Sequence, residues 1–279
     1  MRSILDTISY HAVYDASIQE AILYAKGNGF TGIQIADESP HLSFERLSAK
    51  QADELKIVAQ EQGVYIVLHA ADDAASLFQP NRYLIAGIRD YYTALLNFAH
   101  KVSARLVTIH SGEMTTFRTD SQPEHRIPRE DLVFYHKVFS ENLDFLLSIN
   151  NAEVPICVES YNLDQATLDM TVPYLERGDV FLCWDIAKSF GQPYLEDFFF
   201  KHIPWVRQVH LHDRRLSQND LVKTHCVIGT GEIDFGSYLQ VLSKANVQDF
   251  CIEVRPRDKA RESLIALKKM INDSADIEQ

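Results

Sequence analysis

Eight short β-rich runs, separated by longer stretches of helical spacing, recur from one end of the chain to the other. The runs are residues 4–8, 32–36, 65–69, 106–110, 156–159, 180–185, 206–212 and 250–254. Between them, 47–62 carries Ala52, Leu55, Val58 and Ala59 at helical spacing, with charge on the opposite face. Stretches 84–102, 132–149 and 262–271 repeat that pattern, and Gly29, Gly63 and Gly178 stand where a helix must stop before the next strand. Eight strand–helix alternations in 279 residues predict an α/β fold, one closed parallel (β/α)8 barrel spanning 1–279 as a single domain. An open, doubly wound sheet usually has fewer strands and a Gly-rich first turn. No GxGxxG follows 4–8 and no P-loop occurs, so no nucleotide cofactor is expected.

Composition narrows the function classes. With 46% hydrophobic and 24% charged residues, a large core is feasible and global disorder is excluded. The net charge of −12, without a clustered basic block, argues against nucleic-acid binding, which counterion release drives. No apolar run reaches the roughly 20 residues needed to span a bilayer, so no membrane association is expected. The opening MRSILDTISYH lacks an apolar stretch and a small-residue cleavage site, so no secretory signal is expected. Four cysteines, none in a CxxC pair, make no disulfide framework, and a reducing cytoplasm is the expected location. The polar tail 273–279 is expected to fray.

Two connections are longer than joining elements requires. One, 111–130, follows the fourth strand and contains Thr115, Thr116, Arg118, Asp120, Ser121, Pro123 and Pro128; the other, 212–235, follows the seventh. Both leave the C-terminal ends of their strands, where barrels build active sites, and long ordered loops there are usually functional.

The strands share a feature at those same ends. Most are apolar until their last residues and then present a side chain able to bind metal: His69 in YIVLHA, His110 in LVTIHSGE, Glu159 in ICVESYN, Asp185 in FLCWDIAKS, His210 in VRQVHLHD and Glu253 in FCIEVRP. Alone, each has an ordinary explanation, since a strand-end His is more often a hydrogen bonder and an acid a helix cap. Six on one rim reverse that reading. Unpaired buried carboxylates are very costly, and a divalent cation is the simplest agent that would hold three of them beside several imidazoles. Cys157 and Glu159, Cys183 and Asp185, and Cys251 and Glu253 are each two residues apart, so each pair faces one side of its strand. The thiol then fills the interior below the acid.

With VES at 158–160, WDIAKS at 184–189, HLHD at 210–213 and IGTGEIDF at 228–235 followed by IEVRP, the sequence resembles the xylose-isomerase-like TIM barrels. That group includes sugar isomerases and epimerases, inosose dehydratases and the endonuclease IV family. The resemblance implies a metal site of Glu159, Asp185, His210 and Glu253, a hard donor set suited to Mn²⁺, Mg²⁺, Co²⁺ or Zn²⁺. It also implies that Glu159 and Glu253 act as an acid/base pair flanking a substrate carbon. His69, His110 and His225 match further endonuclease IV ligands, implying either a second metal or substrate contacts.

Two positions depart from the family pattern. Lys188 stands where a His is usual, and Lys223 where the endonuclease has Asp. Protonated lysines cannot ligate and repel a nearby cation, which disfavours a three-metal phosphodiesterase. Lys188, His212, Arg215 and Arg255 are candidates for substrate binding, with Arg214 and Arg257 near the same rim. His11, His41, His100, His125, His136 and His202 lack strand-end placement and receive no role.

The resulting expectation is a metal-dependent isomerase or epimerase acting on a small carbohydrate: a sugar, sugar phosphate or polyol. The alternatives are an endonuclease IV-like phosphoesterase, an inosose dehydratase-like lyase, and a barrel reused as a scaffold, which would not need three converging acids. The substrate is set by loop shape. Barrels of this size often pair, so a homo-oligomer is also an open expectation.

Overall fold

The structure, a computed structural model, describes residues 4–277 other than 116, 120, 121, 127, 128, 151, 152, 162 and 217–220. Eight parallel strands close into a barrel: β1 (Ile8–Ala12), β2 (Gly32–Ala36), β3 (Tyr65–His69), β4 (Val107–Ile109), β5 (Ile156–Glu159), β6 (Phe181–Asp185), β7 (Val206–Leu211) and β8 (Asp249–Ile252). Closure is made by β1 against β8, with Ile8 level with Phe250 and Tyr10 with Ile252. Outside the barrel lie α1 (Ile18–Asn28), α2 (Ala49–Gln62), α3 (Arg82–Val102), α4 (Arg129–Asn150), α5 (Gln165–Arg177), α6 (Ile186–Ser189), α7 (Pro193–Lys201), α8 (Phe235–Leu242) and α9 (Arg257–Ile277).

Local signals set the helix limits. Ser17 and Ser48 cap the starts of α1 and α2 through their hydroxyls, the second in a reciprocal capping box with Gln51. The expected stops Gly29, Gly63 and Gly178 end α1, α2 and α5 in the left-handed conformation. No described helix is long and apolar enough to cross a membrane.

The first strand departs from expectation. Residues Ile4–Thr7 form a 3₁₀ turn, with the Thr7 hydroxyl donating to the Ile4 carbonyl at 3.0 Å, and the strand begins only at Ile8. Ile4 and Leu5 are apolar because they pack against the core from outside the sheet. Within the strand, Ile8, Tyr10 and Ala12 join the core beneath the helices, so by alternation Ser9 and His11 point to the barrel axis. The tail also differs: α9 continues to Ile277, well beyond 273.

Inside the barrel, Val67, Leu106, Cys157 and Cys183 form a small apolar cluster of their own. Burial pushes the Cys157 and Cys183 thiols up, so they pack as neutral fillers. The register sets Asp185 level with His210 and Glu159 level with Cys183, which brings neighbouring strands to one rim.

Both long connections contain an antiparallel pair. Phe117–Thr119 pairs with Gln122–Arg126, so Arg118 and Pro123 fall in strands, while Thr116, Asp120, Ser121 and Pro128 lie outside the described residues. Asp213–Leu216 pairs with Val222–Cys226. Asp213 organises the turn beyond this second hairpin: Oδ2 accepts the backbone N–H of Gly229 (3.0 Å) and Gly231 (2.7 Å), and Oδ1 those of Arg214 (2.8 Å) and Ile233 (3.3 Å). This explains the glycines of IGTGEIDF. A Cβ on Gly231 would lie 2.0 Å from the Arg214 carbonyl and 2.3 Å from Asp213 Oδ1. Gly231→Ala is therefore expected to destabilise the protein by about 1–3 kcal/mol. A urea midpoint equal to that of the wild type would refute this packing account.

Candidate active site

The barrel brings the six strand-end side chains to one mouth. His69, Glu159 and Asp185 are the last residues of β3, β5 and β6, His210 is the penultimate residue of β7, and His110 and Glu253 lie one residue past β4 and β8. All six are buried. Glu159 Oε2 takes His69 Nε2 at 2.9 Å and His110 Nε2 at 3.2 Å. His210 Nδ1 lies 3.4 Å from Glu159 Oε2 and 3.4 Å from Glu253 Oε1, and has no well-formed hydrogen bond. An imidazole nitrogen left in that state between two carboxylates suits a cation.

Asp185 is held from two sides. Its Oδ1 caps α6 by accepting the Lys188 N–H at 3.0 Å, and Oδ2 lies 3.1 Å from His212 Nε2. His212 Nδ1 accepts the backbone N–H of His225 at 3.0 Å, so a neutral His212 ring donates from Nε2 to Asp185. His225 adopts φ 54, its Nδ1 donates to the Glu253 carbonyl at 2.8 Å, and its ring stacks on His212 at 4.2 Å. A left-handed non-glycine bonded to the Glu253 backbone is a strained arrangement of the kind found at functional sites.

Charge balance follows from these contacts. Burial opposes ionisation of Glu159 and Glu253, but nearby imidazoles, His210 foremost, hold both carboxyls well below the usual carboxylate range. Burial likewise opposes protonation of His69, yet Glu159 outweighs it and lifts the imidazole to about 10. His210, between Glu253 and Glu159, is lifted to about 9 against the same burial cost. His225 goes the other way, lowered to about 4 by burial and by His212. The imidazoles therefore balance the buried carboxylates. Among the described residues, the sets of donor atoms that lie within 4.8 Å of one another include His69, His210 and Glu253; His69, His110 and Glu159; Glu159, Cys183 and His210; and His212, His225 and Glu253. The residues fit a divalent ion.

The mouth opens into a cavity of about 570 Å³, with Glu159, Asp185, Glu253 and the histidines His11, His41, His69, His110 and His225 among its walls. Lys188 and Arg255 also line it, and the Lys188 ammonium sits 4.9 Å over the Tyr161 ring, which stacks on His110 at 4.7 Å. Two candidates lie elsewhere. His212 is fully buried, lies outside the cavity lining and contacts Asp185. Arg215 is exposed and donates to the Thr230 carbonyl at 2.7 Å, away from the cavity. Nor do Arg214 and Arg257 line the cavity: Arg214 donates to the Phe190 carbonyl, and Arg257 pairs with Asp15 and Glu20.

Sequence reasoning passed over His11, whose Nδ1 meets Glu253 Oε1 at 2.8 Å. Placing the first strand at 8–12 would have found it, because His11 then shares the inward face with Ser9. Gln34, 2.9 Å from the same oxygen, and Tyr161 were also missed, and His41 lines the cavity rim.

Residues 22–270 match the xylose isomerase-like TIM barrel family, and the chain belongs to it. No curated protein sequence matches the chain significantly. Among solved structures, a D-tagatose 3-epimerase-like protein has TM-score 0.75 at 16% identity, covering 98% of this chain and 100% of that one. A 3-keto-D-glucoside 4-epimerase from E. coli has TM-score 0.70 at 17% identity, covering 95% and 98%. A xylose isomerase-like TIM barrel protein from Mycobacterium smegmatis, in complex with magnesium, has TM-score 0.65 at 14% identity, covering 98% and 99%. At such identities the likeness establishes the shared fold.

The imidazole pairs set a pH dependence. His69 and His210 have folded values above the ordinary 6.5, so the stability they contribute is fully present below about pH 6.5 and is lost as pH rises through about 9–10. Chelator-treated protein should therefore melt at a lower temperature at about pH 9.5 than at about pH 6.5. Calorimetry showing the reverse order would contradict the assigned pairings.

Proposed function

We propose that the protein is a divalent-metal-dependent isomerase or epimerase that moves a proton next to the carbonyl of a sugar or sugar derivative. One observation carries the reading: Glu159 and Glu253, both buried, line the cavity at the barrel mouth, each 3.4 Å from the same His210 nitrogen. Two carboxylates so placed suit removal of a proton from one face of a carbon and its return from another. Among the described residues, the hydrogen bonds of Glu159 fall on Oε2 and those of Glu253 on Oε1, which leaves the other oxygen of each for substrate. Glu159, Asp185, His210 and Glu253 would hold the ion, which when bound supplies Lewis-acid stabilisation of the charge that develops as the proton leaves. Tyr161, Lys188 and Arg255 offer an aromatic face and two cations to hydroxyls or a phosphate. The names of the epimerases with the same fold support a carbohydrate substrate.

A second reading rests on the second cluster. His69, His110 and Glu159 could hold another ion, as a two-metal phosphoesterase requires. The net charge of −12 weighs against it, and Lys188 and Lys223 weigh against a third ion.

The test is metal analysis of the purified protein, then a screen of ketoses and their phosphates in heavy water. We expect solvent deuterium in the product and loss of turnover on chelation. Glu159→Gln and Glu253→Gln should each lower kcat by about 10²–10⁴-fold. Two tightly bound zinc ions with cleavage of abasic DNA, and no exchange into any ketose, would instead favour the second reading.

A further inference from the structure

Gln34, fully buried on β2 beneath the mouth, touches two of the expected ligands at once. Its Oε1 lies 3.1 Å from His210 Nε2 and accepts from Gln208 Nε2 at 2.6 Å, while its Nε2 donates to Glu253 Oε1 at 2.9 Å. The direction of this amide is forced by its neighbours. The ionised Glu253 only accepts, so it must meet the amide nitrogen. Gln208 in turn donates its second hydrogen to Asp249 Oδ2 at 2.7 Å, and its oxygen is occupied by the Thr108 hydroxyl. The Tyr65 hydroxyl fixes Asp249 at 2.7 Å. Turning the Gln34 amide over would set nitrogen against nitrogen at Gln208 and oxygen against oxygen at Glu253.

With Gln34 Oε1 facing it, His210 must carry a proton on Nε2. We propose that Gln34 is a positioning residue: it fixes the Nε2–H tautomer of His210 and thereby aims the lone pair of Nδ1 between Glu159 and Glu253, as a metal donor. An imidazole protonated on Nδ1 would present N–H to the ion and could not bind it. The inference rests on the metal reading above and assigns a role to a residue that neither binds the ion nor meets the substrate.

The test uses full-length protein labelled with ¹⁵N-histidine and loaded with Zn²⁺. Nitrogen NMR should show His210 protonated on Nε2, with Nδ1 unprotonated and shifted by the metal. In Gln34→Met, which keeps the length but not the amide, calorimetric Zn²⁺ affinity should fall about 10–100-fold and the protected Nε2–H resonance should disappear. Bound Zn²⁺ with His210 protonated on Nδ1 overturns this inference alone. Failure of the wild type to bind Zn²⁺ overturns it together with the metal reading. A Gln34→Met variant with native near-ultraviolet circular dichroism and affinity within about twofold of wild type also overturns it. Should that variant not fold, the wild-type tautomer decides.

Discussion

Two ionised carboxylates from distant strands, Glu159 and Glu253, are buried around one imidazole nitrogen, and much of the mouth is arranged around that cost. An uncompensated buried carboxylate is worth several kcal/mol against folding. Here each is answered separately: Glu159 by His69 and His110, Glu253 by His11 and Gln34, with His210 between them. The compensating groups come from β1, β2, β3, β7 and the residue after β4, so the charge arrangement exists only when the barrel is closed. Fold and site are thus one problem in electrostatics. Alternating strands and helices supply the closure, and closure supplies the counter-charges.

The alternation, the barrel and the six strand-end acids and imidazoles were legible in the sequence because each is a local pattern repeated many times. Side-chain alternation alone placed Cys157 beneath Glu159 and Cys183 beneath Asp185, and burial of both thiols agrees. The features that escaped are long-range or locally ambiguous. Ile4 and Leu5 are as β-prone as Ile8 and Tyr10, so the first strand slid toward the terminus and His11 was lost with it. Gln34 sits mid-strand with nothing in its neighbours to mark it, since its partners are 23 to 219 residues away. The arginines were ambiguous for another reason: a rim position does not say which way a long side chain turns. Arg255 lines the cavity and Arg215 folds back onto Thr230.

Beneath the mouth the interior is not uniformly oily. Tyr65, Thr108, Gln208, Asp249 and Gln34 form a polar column beside the small cluster of Val67, Leu106, Cys157 and Cys183. Fully satisfied polar networks of this kind rigidify and specify one arrangement, whereas a partly satisfied one would be worse than an apolar core. The column therefore serves geometry more than stability. Asp249 fits that reading, since its burial raises its pKa and its hydrogen bonds only offset the cost.

The hairpin of Asp213–Leu216 and Val222–Cys226 has a consequence for engineering. It presents His225 to the cavity, while the His225 backbone governs His212 and through it Asp185. Grafting this segment from a relative would here alter two traits at once, the shape of the cavity wall and the hold on the Asp185 carboxylate. Libraries that vary the hairpin while keeping the backbone at 225 fixed would separate the two traits.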